Sequence, residues 1–269
     1  MKKFAAVNQK GGVGKTNTNC NFSHCLAEAG NPTLIINGDE QEDTNDMMIE
    51  YELPGIRTHH LFGNLPLRPL PPPNKLSLIA SDREALREIE ESPIDDLELV
   101  DNLRARLAEL APHYHYAVFD TAGANSRIAN AFLIACDFAA VPTKIDEHSI
   151  RESVETIGRI GGIQTHPDPR MRNEKLTFLG ILVNEYDPRQ PFQVKQFGRL
   201  LEEHGDLMVP YAITDRQAYR EAVSARVPVW RLRSEDGNHI KTAAREAGKE
   251  ILTVFAYFKK LMDAHEVSR

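Results

Sequence analysis

The chain of 269 residues is long enough to bury a large apolar core, and a single domain spanning residues 1–269 is expected. With 41% hydrophobic and 26% charged residues and no apolar run of membrane-spanning length, its composition excludes a membrane-embedded class. The formal net charge of −7 excludes a protein that coats nucleic acid over its whole surface, and three cysteines without metal-ligand spacing favour a reducing cytoplasm over a disulfide framework.

Short apolar runs alternate with amphipathic stretches along the chain. The runs predict strands at Phe4–Val7, Thr33–Ile36, Leu76–Ala80, Tyr116–Phe119, Phe138–Val141, Leu176–Val183 and Leu207–Tyr211. The stretches between them predict helices at Lys15–Ala29, Ala85–Glu91, Leu97–Leu110, Ile128–Ala135, Ser149–Ile160 and Phe192–His204. This alternation predicts a doubly wound α/β fold, with a mostly parallel β-sheet flanked by helices.

Two segments depart from this alternation. Five prolines within Pro66–Pro73 exclude a regular element there, so Leu53–Lys75 is expected to be a surface excursion. The final predicted helix, Ala243–Ala264, carries an apolar face for which packing on the sheet is the favoured interpretation and membrane anchoring the alternative. That face consists of Ile251, Phe255, Phe258 and Met262.

A glycine-rich loop follows the first strand and opens the first helix. Gln9 stands where the common phosphate-loop pattern has its first glycine, so the strict pattern fails at that position. Glycines still let backbone N–H groups approach phosphate oxygens, Lys15 supplies a charge for the β and γ phosphates, and Thr16 offers a hydroxyl to Mg²⁺. We therefore predict an ATP site of a P-loop NTPase formed by Gly11, Gly12, Val13, Gly14, Lys15, Thr16 and Asn17.

The segment Asn8–Thr16 resembles the motif of the ParA/MinD ATPases, the deviant Walker A group. In that family the lysine at the position of Lys10 reaches across a nucleotide sandwich dimer to the phosphates of the partner. The resemblance implies that Lys10 and Lys15 are catalytic, that ATP and Mg²⁺ are the cofactors, and that the chain forms a homodimer in the ATP state.

The next segment, Leu34–Gln41, is similar to a family strand that normally ends in Asp-x-Asp-Pro-Gln. Asp39 falls on the second aspartate, which in the family orients the attacking water and supports the metal. Asn37 replaces the first aspartate and Glu40 replaces the proline. These departures predict slow hydrolysis.

Two later segments extend the resemblance. His115–Gly123 is similar to the Walker B strand, which implies that Asp120 reaches Mg²⁺ through water; Ala122 and Gly123 stand in place of two prolines, and Gly123 is expected to loosen this loop. Gly180–Arg189 resembles the strand whose asparagine contacts adenine in partition ATPases, which implies this role for Asn184.

A basic segment lies near the C-terminus. Between Arg216 and Arg245 the chain has a local surplus of four positive charges, and an ordinary solvated face is the alternative to a DNA contact. Partition ATPases of the family bind double-stranded DNA non-specifically through a similar region, and Arg189 matches an arginine of that branch. The predicted DNA-binding residues are Arg189, Arg216, Arg220, Arg226, Arg231, Arg233 and Lys241.

The resemblance as a whole implies a cytoplasmic, nucleoid-associated DNA partition or positioning ATPase, with hydrolysis stimulated by a ParB-like adaptor or centromere-binding protein. Because the chain begins at the P-loop strand, the N-terminal helix-turn-helix of some plasmid members is expected to be absent. A MinD-like membrane-cycling ATPase is one alternative, although the polar residues 264–269 do not favour a membrane partner. A metabolic ATP-dependent ligase is another, and an iron–sulfur relative would need a cysteine soon after Asp120.

Overall fold

The strands are short apolar runs, most of them buried on both faces, as a parallel sheet covered by helices requires. The computed structural model describes residues 1–67, 74–123, 125–234 and 236–265, and within them eight strands form one parallel sheet. The strands are β1 Lys2–Ala6, β2 Thr33–Gly38, β3 Glu52–Arg57, β4 Leu76–Ala80, β5 Tyr116–Thr121, β6 Phe138–Thr143, β7 Thr177–Tyr186 and β8 Met208–Thr214.

Helices connect the strands, and several begin at a residue that caps the first turn. The side chains of Asp82, Asp95, Ser126 and Asp146 each accept a hydrogen bond from a backbone N–H of the helix that follows. The helices in the described residues are α1 Lys15–Glu28, α2 Asp43–Met48, α3 Arg83–Glu91, α4 Asp96–Leu110, α5 Arg127–Ala135, α6 Glu147–Gln164, α7 Pro191–His204, α8 Gln217–Ser224 and α9 Thr242–Ala264.

The strand order is β3-β4-β2-β5-β1-β6-β7-β8, which places β1 between β5 and β6. The chain builds the sheet on one side of β1 as far as β5 and then crosses to the other side for β6. In doubly wound sheets the crevice outside the carboxyl ends of the strands, at such a reversal, is the usual ligand site. The loop after β1 therefore opens at the centre of this edge, beside the end of β5.

Both faces of the sheet are covered by apolar helices. On one face Phe4 of β1 packs against Phe22 of α1 and Phe258 of α9, with ring centroids 4.8 and 5.7 Å away. On the other face Phe119 of β5 lies 4.9 Å from Phe132 of α5. These rings are fully buried, so α1 and α5 hold the central strands in place from opposite sides.

The predicted fold class is confirmed. Each predicted strand and helix is found, with ends shifted by a few residues. Among the α-helices and strands, α2, β3 and α8 were not predicted. Both unpredicted helices are short. Four of the six residues of α2 are polar, and the buried face of α8 consists of Ala218, Tyr219 and Ala222, which is a short and weakly apolar pattern.

The prediction of a surface excursion over Leu53–Lys75 is wrong for its first part. Glu52–Arg57 joins the edge of the sheet beside β4, and a short 3₁₀ helix follows at Thr58–Phe62. Leu53, Ile56, Leu61 and Phe62 are buried. Proline is tolerated in an edge strand with irregular pairing, which explains the presence of Pro54. Residues 68–73, with most of the prolines, lie outside the described residues.

The final helix packs on the sheet, as the favoured interpretation predicts. Ile251, Phe255, Phe258 and Met262 are each 0% exposed. The apolar face of α9 is therefore occupied by the core and is not free to insert into a lipid surface. None of the helices in the described part of the chain is long and apolar enough to span a membrane.

Candidate functional site

The loop between β1 and α1 has a backbone that only glycine adopts easily. Gly12 and Gly14 have φ angles of 69° and 91°, in the left-handed region. A Cβ at Gly14 would lie 2.0 Å from the side-chain nitrogen of Asn184, so glycine is required there for space as well. The α1 helix then starts at Lys15 with no acidic residue in its first turn, which leaves its positive end available to an anion.

The start of the loop is anchored to β6 and α6. Asn8 is 3% exposed, and its Nδ2 donates to the carbonyl of Pro142 at 2.7 Å and to Ser153 Oγ at 3.1 Å. Its Oδ1 accepts the backbone N–H of Lys10 at 2.9 Å, and the backbone N–H of Gln9 donates to Thr156 at 3.2 Å. These bonds hold the loop rigid before any ligand arrives. Sequence reasoning assigned no role to Asn8.

Asp120, at the end of β5, is a buried carboxylate that receives three hydrogen bonds. Thr16 Oγ1 donates to its Oδ2 at 2.9 Å, Asn19 Nδ2 donates to its Oδ1 at 2.8 Å, and Thr44 Oγ1 also donates to its Oδ2. Burial raises the pKa of Asp120, and the bonds from Thr44, Asn19 and Thr16 act in the opposite direction. The predicted pair Thr16 and Asp120 is thus brought together, whereas Asn19 and Thr44 were not predicted.

Lys15 lies beside this carboxylate and is 8% exposed. Its Nζ donates to the carbonyl of Lys10 at 3.0 Å. Burial lowers the pKa of Lys15, while the charges of Asp120 and Asp39 raise it. A partly desolvated ammonium group with so little compensation is suited to receive an added anion.

Asp39 follows β2 and lines the same cleft. Its backbone N–H donates to Asn37 Oδ1 at 3.0 Å, and its carboxylate accepts the backbone N–H of Gln41 at 2.9 Å. The half-buried carboxylate is therefore held in a tight turn at the carboxyl edge of the sheet.

Lys10, at the start of the loop, is also half-buried, and its charge acts on Asp146, the residue that caps α6. Burial raises the pKa of Asp146, but hydrogen bonds from Ser149 and the charge of Lys10 outweigh burial, so the pKa is lowered.

The cleft above the loop has a volume of about 850 Å³. Its walls include Gly11, Gly12, Gly14, Lys15, Thr16, Asn17, Asp39, Gly123 and Arg226. A smaller cavity of about 180 Å³ adjoins it and includes Gly14, Asn17, Asn184, Thr214 and Tyr219. Asn184 is 4% exposed and donates through Nδ2 to the carbonyl of Val13 at 2.8 Å, so it holds the loop as well as lining the cavity.

These residues fit a nucleoside triphosphate with Mg²⁺. Thr16 and Asp120 offer a hydroxyl and a carboxylate to a cation, and in the described residues no cluster of three or more His, Cys, Asp or Glu side chains could hold a metal alone. Mg²⁺ characteristically keeps waters and phosphate oxygens alongside one or two protein ligands. The site is thus suited to a metal that arrives with phosphate.

The predicted DNA-binding residues are spread over several elements, and most are paired with acidic groups. Ion pairs join Arg189 to Asp187, Arg216 to Glu250, Arg220 to Asp215, Arg231 to Glu28 and Lys241 to Glu221, at distances of 2.7 to 3.2 Å. Arg233 donates to the carbonyl of Gly237. Arg226 has a φ of 55° and borders the 850 Å³ cleft. Much of the charge surplus seen in the sequence is therefore offset locally.

Known proteins show clear similarity to the chain. The profile of a family described as an AAA domain matches residues 1–176. Protein IncC of Escherichia coli is 28% identical over 267 residues, which covers 96% of this chain and 69% of IncC.

Solved structures share the fold at low sequence identity. A McdA variant from Cyanothece in complex with ATP superposes with a TM-score of 0.76 at 18% identity, covering 96% of each chain. A putative plasmid partition protein from Borrelia burgdorferi bound to AMPPNP gives 0.71 at 18% identity, covering 96% of this chain and 99% of that chain. Cobyrinic acid a,c-diamide synthase from Mycobacterium smegmatis with ADP and magnesium gives a TM-score of 0.67 at 20% identity, covering 86% of this chain and 96% of that chain.

Proposed function

Because the chain belongs to the ParA/MinD family of deviant Walker A P-loop ATPases, we propose that it is a DNA partition or positioning ATPase. It forms a nucleotide sandwich dimer with ATP, binds double-stranded DNA non-specifically in that state, and leaves DNA when an adaptor of the ParB kind stimulates hydrolysis. The observation that carries this proposal is the Lys10–Thr16 loop, which combines a phosphate cradle lining the cleft with a second, half-buried lysine at its start. Such a protein would be cytoplasmic and nucleoid-associated.

The residues of the loop would bind the phosphates of ATP. Lys15 would exchange its bond to the Lys10 carbonyl for phosphate oxygens. The Thr16 hydroxyl would turn a lone pair toward Mg²⁺ and keep donating its proton in the hydrogen bond to Asp120. When bound there, Mg²⁺ would supply positive charge that stabilises the phosphates during transfer. The smaller cavity, which Asn17 and Asn184 line, would take the base.

The water that attacks the γ phosphate would be oriented by Asp39. Its carboxylate lines the cleft and is fixed by the Gln41 backbone, so it can accept a proton of water without first being ordered. Lys10 of each protomer would serve the phosphates of the partner. Delivery of this charge across the dimer would make hydrolysis depend on assembly.

DNA binding would use the exposed arginines near the carboxyl edge and α8. The Arg220 side chain is 67% exposed, and its ion pair with Asp215 lies at the surface, so it holds little free energy. Phosphate oxygens could therefore replace that carboxylate at small cost. The Arg189 side chain is 85% exposed, but it makes two hydrogen bonds to Asp187, whose side chain is 13% exposed, so a phosphate there would compete with a stronger pair. Arg226 differs from the others because it borders the nucleotide cleft.

The alternatives have less support. A MinD-like membrane cycle would need an exposed apolar anchor, and the apolar face of α9 is buried. A metabolic ligase shares the fold, but the IncC alignment extends over 96% of the chain and favours the partition branch.

The deciding experiment measures dimerisation by light scattering and DNA binding by fluorescence anisotropy, using a duplex of arbitrary sequence. With ATP and Mg²⁺ we expect a dimer that binds the duplex, and with ADP a monomer that does not. If each dimer makes about six phosphate contacts, affinity should fall roughly a thousandfold between 50 and 200 mM salt.

Two lysine variants complete the test. Lys15→Ala should lose nucleotide binding and therefore dimerisation, whereas Lys10→Ala should bind ATP normally and hydrolyse it more slowly. A wild-type dimer without affinity for DNA at low salt would overturn the partition proposal. Turnover of Lys10→Ala equal to the wild type would remove the role assigned to Lys10.

A further inference from the structure

Thr44 of α2 makes a contact that neither the motif resemblance nor the catalytic scheme above uses. Its side-chain oxygen donates to Oδ2 of Asp120, the same oxygen that accepts the hydroxyl of Thr16 at 2.9 Å. Thr44 is 1% exposed, so water does not compete for this bond. The Cys20 thiol, 3.9 Å from the Thr44 oxygen, offers it only a weak bond, which leaves Asp120 as its main partner.

The bond connects two parts of the site. Thr44 follows Asp39 by five residues, and the intervening turn is tight, since the Glu42 backbone donates to the Asp39 carbonyl at 3.4 Å and Glu42 has a φ of 63°. The segment that carries Asp39 is therefore fastened to Asp120 through Thr44.

We infer that Thr44 is a positioning residue of the metal site, which fixes the Asp120 carboxylate for Mg²⁺ and ties the Asp39 segment to it. This inference rests on the proposed nucleotide site but not on DNA binding. Asp120 has one donor on Oδ1, from Asn19, and two on Oδ2. Without Thr44, Oδ2 is held by Thr16 alone, the very hydroxyl that must face the metal.

The physical consequence is specific to the metal. Loss of a hydrogen bond that orients a metal-binding carboxylate typically weakens metal affinity about tenfold to a hundredfold. Binding of ADP without Mg²⁺ does not require the carboxylate to be oriented. Removal of the Thr44 hydroxyl should therefore reduce the gain in ADP affinity that Mg²⁺ provides and leave Mg²⁺-free binding unchanged.

The experiment measures the affinity for a fluorescent ADP analogue in EDTA and in Mg²⁺. We expect Thr44→Val, which keeps the shape of the side chain, to lose about tenfold of the Mg²⁺-dependent gain, and Thr44→Ser to retain it. Thr33→Val is the matched control, because Thr33 is also buried in the core and donates to a carbonyl, that of Asn31, at the far end of β2. It should lose stability without a change in the Mg²⁺ effect.

A second readout tests whether the bond between Thr44 and Asp120 holds α2 in place. Hydrogen exchange of amides 43–48 should slow when Mg²⁺–ADP binds the wild type, and Thr44→Val should abolish this protection. If Thr44→Val does not fold, Thr44→Cys, whose thiol is a weaker donor, should show an intermediate loss. An unchanged Mg²⁺ effect in a folded Thr44→Val or Thr44→Cys protein would overturn the inference. A wild type that needs Mg²⁺ for tight ADP binding but fails to bind DNA would refute the partition proposal alone.

Discussion

Gly123 is the residue at which sequence and structure lead to opposite expectations. As a replacement for proline, it was expected to loosen the loop after β5. In the structure, a Cβ on Gly123 would lie 2.7 Å from the backbone oxygen of Gln9 and 3.1 Å from Nζ of Lys15. Gly123 therefore lets this loop approach the phosphate loop closely, and Gly123→Ala tests whether that approach matters.

The size of the effect of Gly123→Ala depends on which of the two loops can shift. Carbon–oxygen contacts become ordinary at about 3.4 Å, so the loops must separate by roughly 0.7 Å. The phosphate loop cannot easily shift, because Asn8 and Gln9 are bonded to β6 and α6. Crowding of this kind costs about 1–3 kcal/mol. The added Cβ also crowds Nζ of Lys15, and a loss of about 1.4 kcal/mol in its phosphate contacts is tenfold in affinity. We expect Gly123→Ala to lose about 1 kcal/mol or more of stability and at least tenfold in ATP affinity.

Two further glycines provide controls. A Cβ on Gly11 meets no atom within 4 Å, but it would occupy the phosphate cleft, so Gly11→Ala should keep its stability and lose ATP affinity. Gly158 lies exposed within α6 with open space around it, so Gly158→Ala should gain about 1 kcal/mol and bind ATP normally. Urea unfolding gives the stabilities and a fluorescent ATP analogue the affinities. If Gly123→Ala matches the wild type in both, the close approach of the loops has no functional weight.

Two predictions concern the core. Burial and the charge of Arg231 lower the pKa of His24 to about 4. As the pH falls below about 6.5, the unfolded chain therefore takes up a proton at His24 before the folded chain does, so this group should lower the stability at pH 5 by about 2 kcal/mol. His24→Phe should remove that contribution, as measured by urea unfolding. Phe258→Ala should lower the free energy of unfolding by about 3–5 kcal/mol, because the ring is 0% exposed and lies between Phe4 and Phe22. The control Lys260→Ala, at an exposed position, should change it by no more than about 0.5 kcal/mol in the same assay. A small effect of Phe258→Ala would contradict the packing of α9 on the sheet.

The fold was predictable because its strongest signals are local. Apolar runs separated by helical stretches indicate a parallel sheet covered by helices, and this conclusion does not depend on the conformation of the loops. Strand β3 was missed because Pro54 and Gly55 interrupt its pattern, and only its position at the sheet edge makes them acceptable. That position is a property of the assembled sheet and is not visible in the segment itself.

The site was predictable where its residues are contiguous and not where they converge from different elements. The sequence placed Lys15 and Thr16 on one loop, and the end of an apolar strand indicated Asp120. Asn19 and Thr44 were missed because polar side chains on helices usually face solvent. One signal was available: α1 begins with three asparagines and two threonines among its first seven residues, and so many polar groups on a helix that must cover a sheet indicate buried partners.

The two departures from the family pattern around Asp39, Asn37 and Glu40, have different surroundings in the structure. Asn37 donates to Asn45 and to Ser81, each at 2.9 Å, and a carboxylate at this position could not make these bonds. The Glu40 carboxylate pairs with Arg87 at 3.3 Å, and its carbonyl accepts Arg83 Nε at 2.9 Å, so α3 holds the turn that proline would otherwise stiffen. Arg83 and Arg87 thus support the turn at the place where the family has proline. No such substitute stands at position 37, where the negative charge is missing, so of the two departures Asn37 is the stronger reason to expect slow hydrolysis. Asn37→Asp tests this: it should raise turnover without an adaptor if the missing carboxylate limits hydrolysis, and should leave it unchanged if stimulation by the adaptor alone sets the rate.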